Sequence, residues 1–193
     1  FFDSGCAFVQ ISNNDSSSNS YSFINNFNTS GKPLFYIGNG LRNSKYLEKL
    51  ISFCTKYYVP YILSWSAIDL SPSDDKNNLG RIGIYGDRAS NFTLQKCKTL
   101  LCLGTRLAIP QVGYDISDFA RKANKWIVEI DENECEKYAN LDWEVLNTDV
   151  NIFLETFFLV WVVAFFPVGV VVVAAAVGIC AAPLASKTIP GFG

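Results

Sequence analysis

The sequence has 193 residues, a formal net charge of −2 and no histidine. The small negative charge leaves no basic face for a row of phosphates, so the composition argues against nucleic-acid binding. The absence of histidine excludes an imidazole general base, catalytic triads built on imidazole and the commonest zinc ligand.

The first 29 residues predict a linker remnant followed by a short helix. The polar stretch around Ser12 to Ser20 cannot bury enough apolar surface to order itself. A helix is predicted from Tyr21, with Gly31 as its C-terminal stop. We therefore expect the folded domain to begin near residue 30.

From Lys32 onward, apolar strands alternate with amphipathic helices. Buried strands are predicted at 32–38, 59–66, 99–104 and 125–131, and an edge strand at 143–149. Helices are predicted at 44–58 with Ser44 as N-cap, at about 88–97, and at 150–158. This alternation predicts an α/β fold over residues 30–158, in which helices cover both faces of a parallel sheet.

The six cysteines are scattered along the chain and form no C-x-x-C pair. Most of them lie in apolar surroundings, which is typical of reduced thiols that fill a core. This use of cysteine fits a cytoplasmic protein.

The apolar tail, residues 159–193, differs from the rest of the chain. The composition becomes rich in Val, Ala, Gly and Pro near Leu159, and no charged residue occurs from Thr156 to Ser186. A stretch of this length can span a bilayer, so one interpretation of 156–186 is a membrane segment. The others are a non-native join and an apolar extension buried in the fold. Membrane association is expected only if the tail is native.

Glycines follow the predicted strands at one edge of the sheet. Gly38 and Gly40 follow the first strand, Gly86 precedes a helix, and Gly104 follows the third. In a parallel α/β sheet, ligands bind beyond the carboxyl ends of the strands. Three glycine turns on one edge favour a nucleotide crevice, whereas a single glycine after a strand is more often just a tight turn.

Charged residues near these turns have two interpretations each. Arg88 and Arg106 can fork onto a diphosphate or form surface salt bridges. Asp131 can accept hydrogen bonds from ribose hydroxyls or cap the helix that follows. Asp74 and Asp75 are predicted to lie in a solvated turn. We predict no catalytic residue and no metal ligand in this chain.

Four stretches, in their order and spacing, resemble the central domain of thiamine-diphosphate-dependent enzymes of the acetolactate-synthase-like branch. They are GKPLFYIGNGLRN, SWSAIDLSPSDD, GRIGIYGDRASNFTLQKCKTLLCLGTRLAIPQVGYD and KWIVEIDENECEKY. The resemblance covers about residues 30–158 and implies a six-stranded Rossmann-like sheet of the DHS-like NAD/FAD-binding type. It also implies that this domain holds FAD or ADP, or no ligand. The loop RLAIPQVGYD replaces the Arg-Phe-Asp-Asp-Arg type of loop common in FAD-binding members, which counts against FAD.

The resemblance implies a set of cofactor-binding candidates on the loops that follow the strands. These are Gly38, Gly40, Ser64, Ser66, Gly86, Arg88, Asn91, Gly104, Arg106 and Asp131.

The resemblance also implies chemistry whose residues are missing here. In the parent enzyme, a glutamate of the pyrimidine-binding domain activates thiamine diphosphate, and a Gly-Asp-Gly…Asn segment of the diphosphate-binding domain holds it with Mg²⁺. Neither occurs in this sequence, and the absence of methionine predicts a fragment. The resemblance thus implies a scaffold and nucleotide-site domain, inactive alone, of a carboligase or lyase acting on 2-oxo acids. Its expected partners are the two missing domains, in a homodimeric or homotetrameric parent. The alternative is a non-enzymatic FAD- or ADP-binding module, membrane-tethered or not.

Overall fold

A parallel sheet of six strands forms the centre of the part that the computed structural model describes, namely Phe23, Phe27 and residues 31–165. The strands are β1 (Pro33–Ile37), β2 (Tyr61–Leu63), β3 (Asn78–Arg81), β4 (Thr99–Leu103), β5 (Asn124–Glu129) and β6 (Trp143–Asn147). Their order is β3-β2-β1-β4-β5-β6, and every neighbouring pair is parallel. This is the doubly wound Rossmann order, so the predicted fold class is confirmed.

The helices cover both faces of this sheet. They are α1 (Leu47–Tyr57), α2 (Arg88–Lys96), α3 (Ile109–Val112), α4 (Glu132–Glu136) and α5 (Val150–Phe165). Short 3₁₀ helices occur at Asn39–Leu41, Trp65–Leu70 and Ile116–Asp118.

Two strand predictions need correction. The predicted strand at 59–66 is too long, because Ser64 N–H donates to the Ile37 carbonyl at 2.9 Å and the chain then turns into a 3₁₀ helix. The edge strand β3 was missed by the hydrophobic pattern, since NLGR has a single apolar side chain and its residues are only half-buried. It becomes a strand through its pairing with β2.

The N-cap prediction for Ser44 is wrong. Helix α1 begins at Leu47, after Tyr46, which makes no side-chain cap bond. Ser44 Oγ instead accepts a hydrogen bond from Tyr46 N–H at 3.1 Å and donates one to Asn151 Oδ1 at 2.7 Å. Ser44 therefore shapes the turn before α1 and ties it to the start of α5.

One hydrophobic core lies on each face of the sheet. Phe35 and Ile37 of β1 point into the first core, with α1 and α5, while Leu34 and Tyr36 point into the second, with α2. This alternation explains the unbroken apolar run of β1, because a strand covered on both faces needs apolar side chains at every position.

Aromatic side chains dominate the first core. Phe53 meets Trp161 edge-on, with ring centroids 4.9 Å apart, and Trp161 meets Phe27 in the same way at 5.5 Å. Phe23 and Phe27 are the two described residues of the predicted N-terminal helix, and both are helical and buried. Trp161 is buried too, with only 6% of its surface exposed. The first core therefore extends past both predicted bounds of the domain, residues 30 and 158.

The remainder of the predicted linker, and the apolar tail from residue 166 onward, lie outside the described residues. Among the helices that are described, none combines the length and the apolar character that a membrane crossing requires.

Four cysteines confirm the prediction of core-filling thiols. Cys54, Cys97, Cys102 and Cys135 are free and buried. Burial raises the pKa of Cys97 to about 12 and raises that of Cys102 well above its ordinary value. These thiols therefore stay protonated at neutral pH. The other two cysteines lie outside the described residues.

Candidate functional site

A cleft of about 560 Å³ opens at the carboxyl ends of the strands. The segments after β1, β2, β4, β5 and β6 all contribute to its walls, for example through Gly40, Ser64, Gly104 and Thr148. It lies where the strand order reverses between β1 and β4. Open α/β sheets bind ligands at this switch point, so the cleft is the candidate site.

The predicted cofactor-binding residues fall into three groups around this cleft. Gly40, Ser64, Ser66, Gly104 and Arg106 line it. Gly38 and Asp131 are not in the lining but contact residues that are, Gly38 at Gly104 and Asp131 at Arg106. Gly86, Arg88 and Asn91 are not among the residues that line it.

Three glycines allow the loops after β1 and β4 to touch. A Cβ on Gly38 would lie 2.6 Å from the Gly104 carbonyl carbon, and one on Gly40 would lie 2.9 Å from Gly104 Cα. Gly104 itself has φ +55°, a conformation that favours glycine. Gly38 N–H donates to the Leu103 carbonyl at 2.8 Å, and Gly40 N–H to the Gly104 carbonyl at 3.0 Å. The glycines therefore shape the floor of the cleft through contacts with each other.

The second glycine turn, at 83–86, packs against the loop after β4. Asn91 holds it in place, since its Oδ1 accepts from Gly83 N–H at 3.0 Å and its Nδ2 donates to the Gly83 carbonyl at 3.1 Å. Ile84 N–H donates to the Pro110 carbonyl at 3.1 Å. Arg88 is exposed at the first position of α2. The Asn91 side chain therefore stabilises the backbone of this turn.

Arg106 and Asp131 form an ion pair at the rim of the cleft. Arg106 Nη2 lies 3.2 Å from Asp131 Oδ2, and the Arg106 side chain is 69% exposed. Asp131 Oδ1 accepts a hydrogen bond from Asn133 N–H at 3.1 Å and caps α4. Both residues thus make the contacts that the sequence allowed as alternatives to ligand binding, a salt bridge and a helix cap.

Two further carboxylates line the cleft. Glu129, the last residue of β5, is buried, and its Oε1 accepts from the N–H groups of Ile130 at 3.0 Å and Asp131 at 3.2 Å. Asp149 precedes α5, and its Oδ1 accepts from Asn151 N–H at 2.7 Å. Asp149 was not among the predicted site residues. Its position directly before a predicted helix was the available signal, since aspartate is a favoured N-cap.

Uncharged polar side chains, among them Ser64, Ser66 and Gln111, also line the cleft. Tyr36 O–H, from the second core, donates to Gln111 Oε1 at 2.8 Å. Burial raises the pKa of Tyr36 far above its usual value, so its phenol stays neutral. Ser64 and Ser66 lie together on the segment after β2, with their Oγ atoms 3.4 Å apart. Gln111 was missed because the four-residue helix α3, in which it lies, is too short to leave a pattern that marks it.

An ion pair joins two walls of the cleft. Arg42, after β1, binds Asp69, after β2, through two hydrogen bonds of 2.8 and 2.7 Å. Arg42 also donates to Asn39 Oδ1 at 2.8 Å and to the Ser66 carbonyl at 2.9 Å, and both of these residues line the cleft. The hydrogen bonds from Arg42 lower the pKa of Asp69 to about 2. Arg42 belongs to the stretch GNGLRN, in which only the two glycines were predicted to be binding residues.

The predicted solvated turn needs a correction at Asp75. Asp74 is exposed as expected, whereas Asp75 is half-buried. Asp75 Oδ2 accepts from Tyr61 O–H at 2.8 Å, and its Oδ1 accepts from Asn77 N–H at 2.9 Å. Asp75 therefore anchors the loop before β3 to β2.

This chain is similar to a family of thiamine-dependent enzymes and to several acetolactate synthase subunits. The family described as thiamine pyrophosphate enzyme, central domain, matches residues 23–157. The acetolactate synthase isozyme 2 large subunit of Escherichia coli is 27% identical over 106 residues, which cover 55% of this chain and 19% of that protein. A probable acetolactate synthase large subunit of Methanocaldococcus jannaschii is 26% identical over 123 residues, covering 64% and 21%.

A third relative has a different name. The 3D-(3,5/4)-trihydroxycyclohexane-1,2-dione hydrolase of Halalkalibacterium halodurans is 34% identical over 77 residues, covering 40% of this chain and 12% of that protein. The matched stretches span about a fifth of the length of the acetolactate synthase subunits.

Proposed function

The chain belongs to the family of thiamine pyrophosphate enzyme central domains, and from this we propose that it is the central domain of an acetolactate-synthase-like enzyme acting on 2-oxo acids. The family match over residues 23–157 is the observation that carries this proposal, because it spans all six strands of the sheet. The comparisons give no support to the alternative of a free-standing, non-enzymatic module.

The proposed role within that enzyme is that of a scaffold with a nucleotide site. Thiamine diphosphate, when bound with Mg²⁺, would supply the carbanion chemistry in the pyrimidine- and diphosphate-binding domains of the parent. The parent is proposed to be a homodimer or homotetramer. The rigid sheet and its two cores suit the present domain to fixing the distance between those catalytic domains.

The cleft at the strand ends is the proposed site for FAD or ADP. Its position at the β1/β4 switch point and its polar lining, which includes Ser64, Ser66 and Gln111, suit the nucleoside part of such a ligand. We expect weak binding by the isolated chain, because a site at a domain junction lacks the contacts of its neighbouring domains and because the loop RLAIPQVGYD departs from the FAD-binding type. Calorimetry with FAD and ADP measures this affinity, and submicromolar binding of FAD would contradict it.

Turnover tests the proposed division of labour. The isolated chain, given thiamine diphosphate, Mg²⁺ and pyruvate, should release carbon dioxide no faster than buffer does. A rate within about 10⁴-fold of a full-length relative, equivalent to a barrier difference of about 5 to 6 kcal/mol, would contradict the proposal.

A chimera provides the positive test. Residues 23–165 would replace the central domain of the Escherichia coli isozyme 2 large subunit, and the product should form acetolactate. A matched chimera carrying Gly38→Ala, in which the floor of the cleft is disturbed, serves as the control. A chimera that is folded by circular dichroism, yet no more active than the isolated chain, would refute the proposed role.

A further inference from the structure

The cleft is unusually poor in positive charge for a site that would hold a diphosphate. Arg106 is the one lysine or arginine among the described residues that line it, and its guanidinium is paired with Asp131 at 3.2 Å. Glu129 and Asp149 add two carboxylates to the lining. A diphosphate placed here would therefore face more negative than positive charge, which is unfavourable at short range.

Three backbone N–H groups of the glycine turns at the switch point already donate to protein carbonyls. Glycine-rich turns bind phosphate by directing free N–H groups at it. Here Gly38 N–H donates to Leu103, Gly40 N–H to Gly104, and Gly104 N–H to Val128, at 2.8 to 3.0 Å. These three donors are turned toward carbonyl oxygens of the protein.

The N-terminus of α5, the longest helix that begins at the cleft, also has a hydrogen-bond partner within the protein. The positive end of a helix dipole attracts anions when its first N–H groups are free. At the start of α5, Asp149 Oδ1 already accepts from Asn151 N–H at 2.7 Å and from Asn151 Nδ2 at 2.9 Å. A carboxylate of the protein thus already binds one of the first N–H groups of α5, where a phosphate would otherwise be attracted.

From these three observations we propose that the cleft selects an uncharged, nucleoside-like ligand and that a diphosphate contributes nothing favourable to its binding. The inference rests on the proposed nucleotide site and narrows its ligand. Neutral hydrogen-bonding groups remain available in the walls, on Ser66 and Gln111 for example, and they suit hydroxyl and amide partners. The charges and the hydrogen-bonding groups of the cleft thus favour the nucleoside part of a nucleotide over its phosphate part.

The test compares three probes on the whole chain by ¹H–¹⁵N NMR titration, without Mg²⁺. Adenosine should shift the amide signals of Gly40, Gly104 and Thr148. ADP should bind no more than about threefold tighter than adenosine, since no charge-assisted bond is gained. Inorganic pyrophosphate should leave these signals unchanged.

Asp131→Asn tests the role of the ion pair. The substitution removes the partner charge of Arg106, while asparagine is as good an N-cap for α4 as aspartate. It should tighten ADP binding by about threefold to tenfold, as expected for one exposed charge-assisted hydrogen bond, and leave adenosine binding unchanged. Asp142→Asn is the matched control, because it removes the same charge from an exposed residue before β6, at the opposite edge of the sheet.

The outcomes separate this inference from the proposed function. If ADP binds much more tightly than adenosine, the inference is wrong and the nucleotide site stands. If neither ligand shifts the cleft signals at about 10 mM, far weaker than any specific site, both are wrong. If Asp131→Asn affects ADP no more than Asp142→Asn does, then Asp131 is not what keeps Arg106 from a phosphate, and the inference fails at that step.

Discussion

Replacement of Gly38 by alanine tests how closely the loops at the switch point must approach. The φ of Gly38 is −98°, which any residue adopts, so the substitution adds no backbone strain. The added Cβ, however, would lie 2.6 Å from both the Gly104 carbonyl carbon and Thr105 Cα. Both neighbours are backbone atoms, so they cannot rotate away as the end of a side chain can.

The magnitude follows from the movement that this contact requires. The loop after β4 would have to retreat by nearly 1 Å, which overpacks the site at a cost of about 1–3 kcal/mol. The retreat would also stretch the hydrogen bonds from Gly38 to Leu103 and from Gly40 to Gly104, each worth about 1 kcal/mol. Alanine also makes the unfolded chain less flexible than glycine does, which offsets about 0.5 kcal/mol of this loss. We expect the free energy of unfolding to fall by about 2–4 kcal/mol.

Urea unfolding followed by tryptophan fluorescence measures this loss. Gly113→Ala is the matched control, because Gly113 has φ +89° and a Cβ there would meet no atom within 4 Å. The control should lose only the cost of a backbone at φ +89° and ψ 174°, about 1–3 kcal/mol. A loss for Gly38→Ala below about 1 kcal/mol would refute the close approach of the two loops.

Three other predictions concern the ion pair, the thiols and the domain bounds. Because Arg42 lowers the pKa of Asp69 to about 2, this pair stabilises the fold above about pH 4 and the benefit is lost as the pH falls toward 2, so Asp69→Asn should flatten that part of the acid-unfolding curve. Cys97 and Cys102 should resist iodoacetamide at about pH 8 until urea unfolds the chain, and mapping of the labelled peptides checks this. Residues 30–158 should melt cooperatively, but well below residues 23–165, because loss of Trp161 from the first core costs about 3–5 kcal/mol; a non-cooperative melt of 30–158, or equal melting temperatures, would contradict this.

Most of the fold was predictable because its signals are local. Runs such as PLFYI and TLLCL are apolar at every position, which only a strand covered on both faces requires. The spacing of Leu50 and Cys54 marks one face of a helix within a single segment. The strand β3 escaped prediction because NLGR has no such signal, and its pairing partner β2 lies more than a dozen residues earlier in the chain.

The sequence by itself determined most of the elements, the edge of the sheet that carries the glycine turns, and the family resemblance. Only the tertiary structure decided what those residues contact. The crossover from β1 to β4 brings Gly38 and Gly40 against Gly104, and the pairing of β4 with β5 brings Arg106 to Asp131. A turn or a helix depends on neighbours along the chain, whereas the charge and free donors of a cleft depend on residues brought together from distant segments. For that reason the sequence left ligand binding and structural contacts open at this edge, while the assembled site shows three glycine N–H groups and Arg106 bound within the protein.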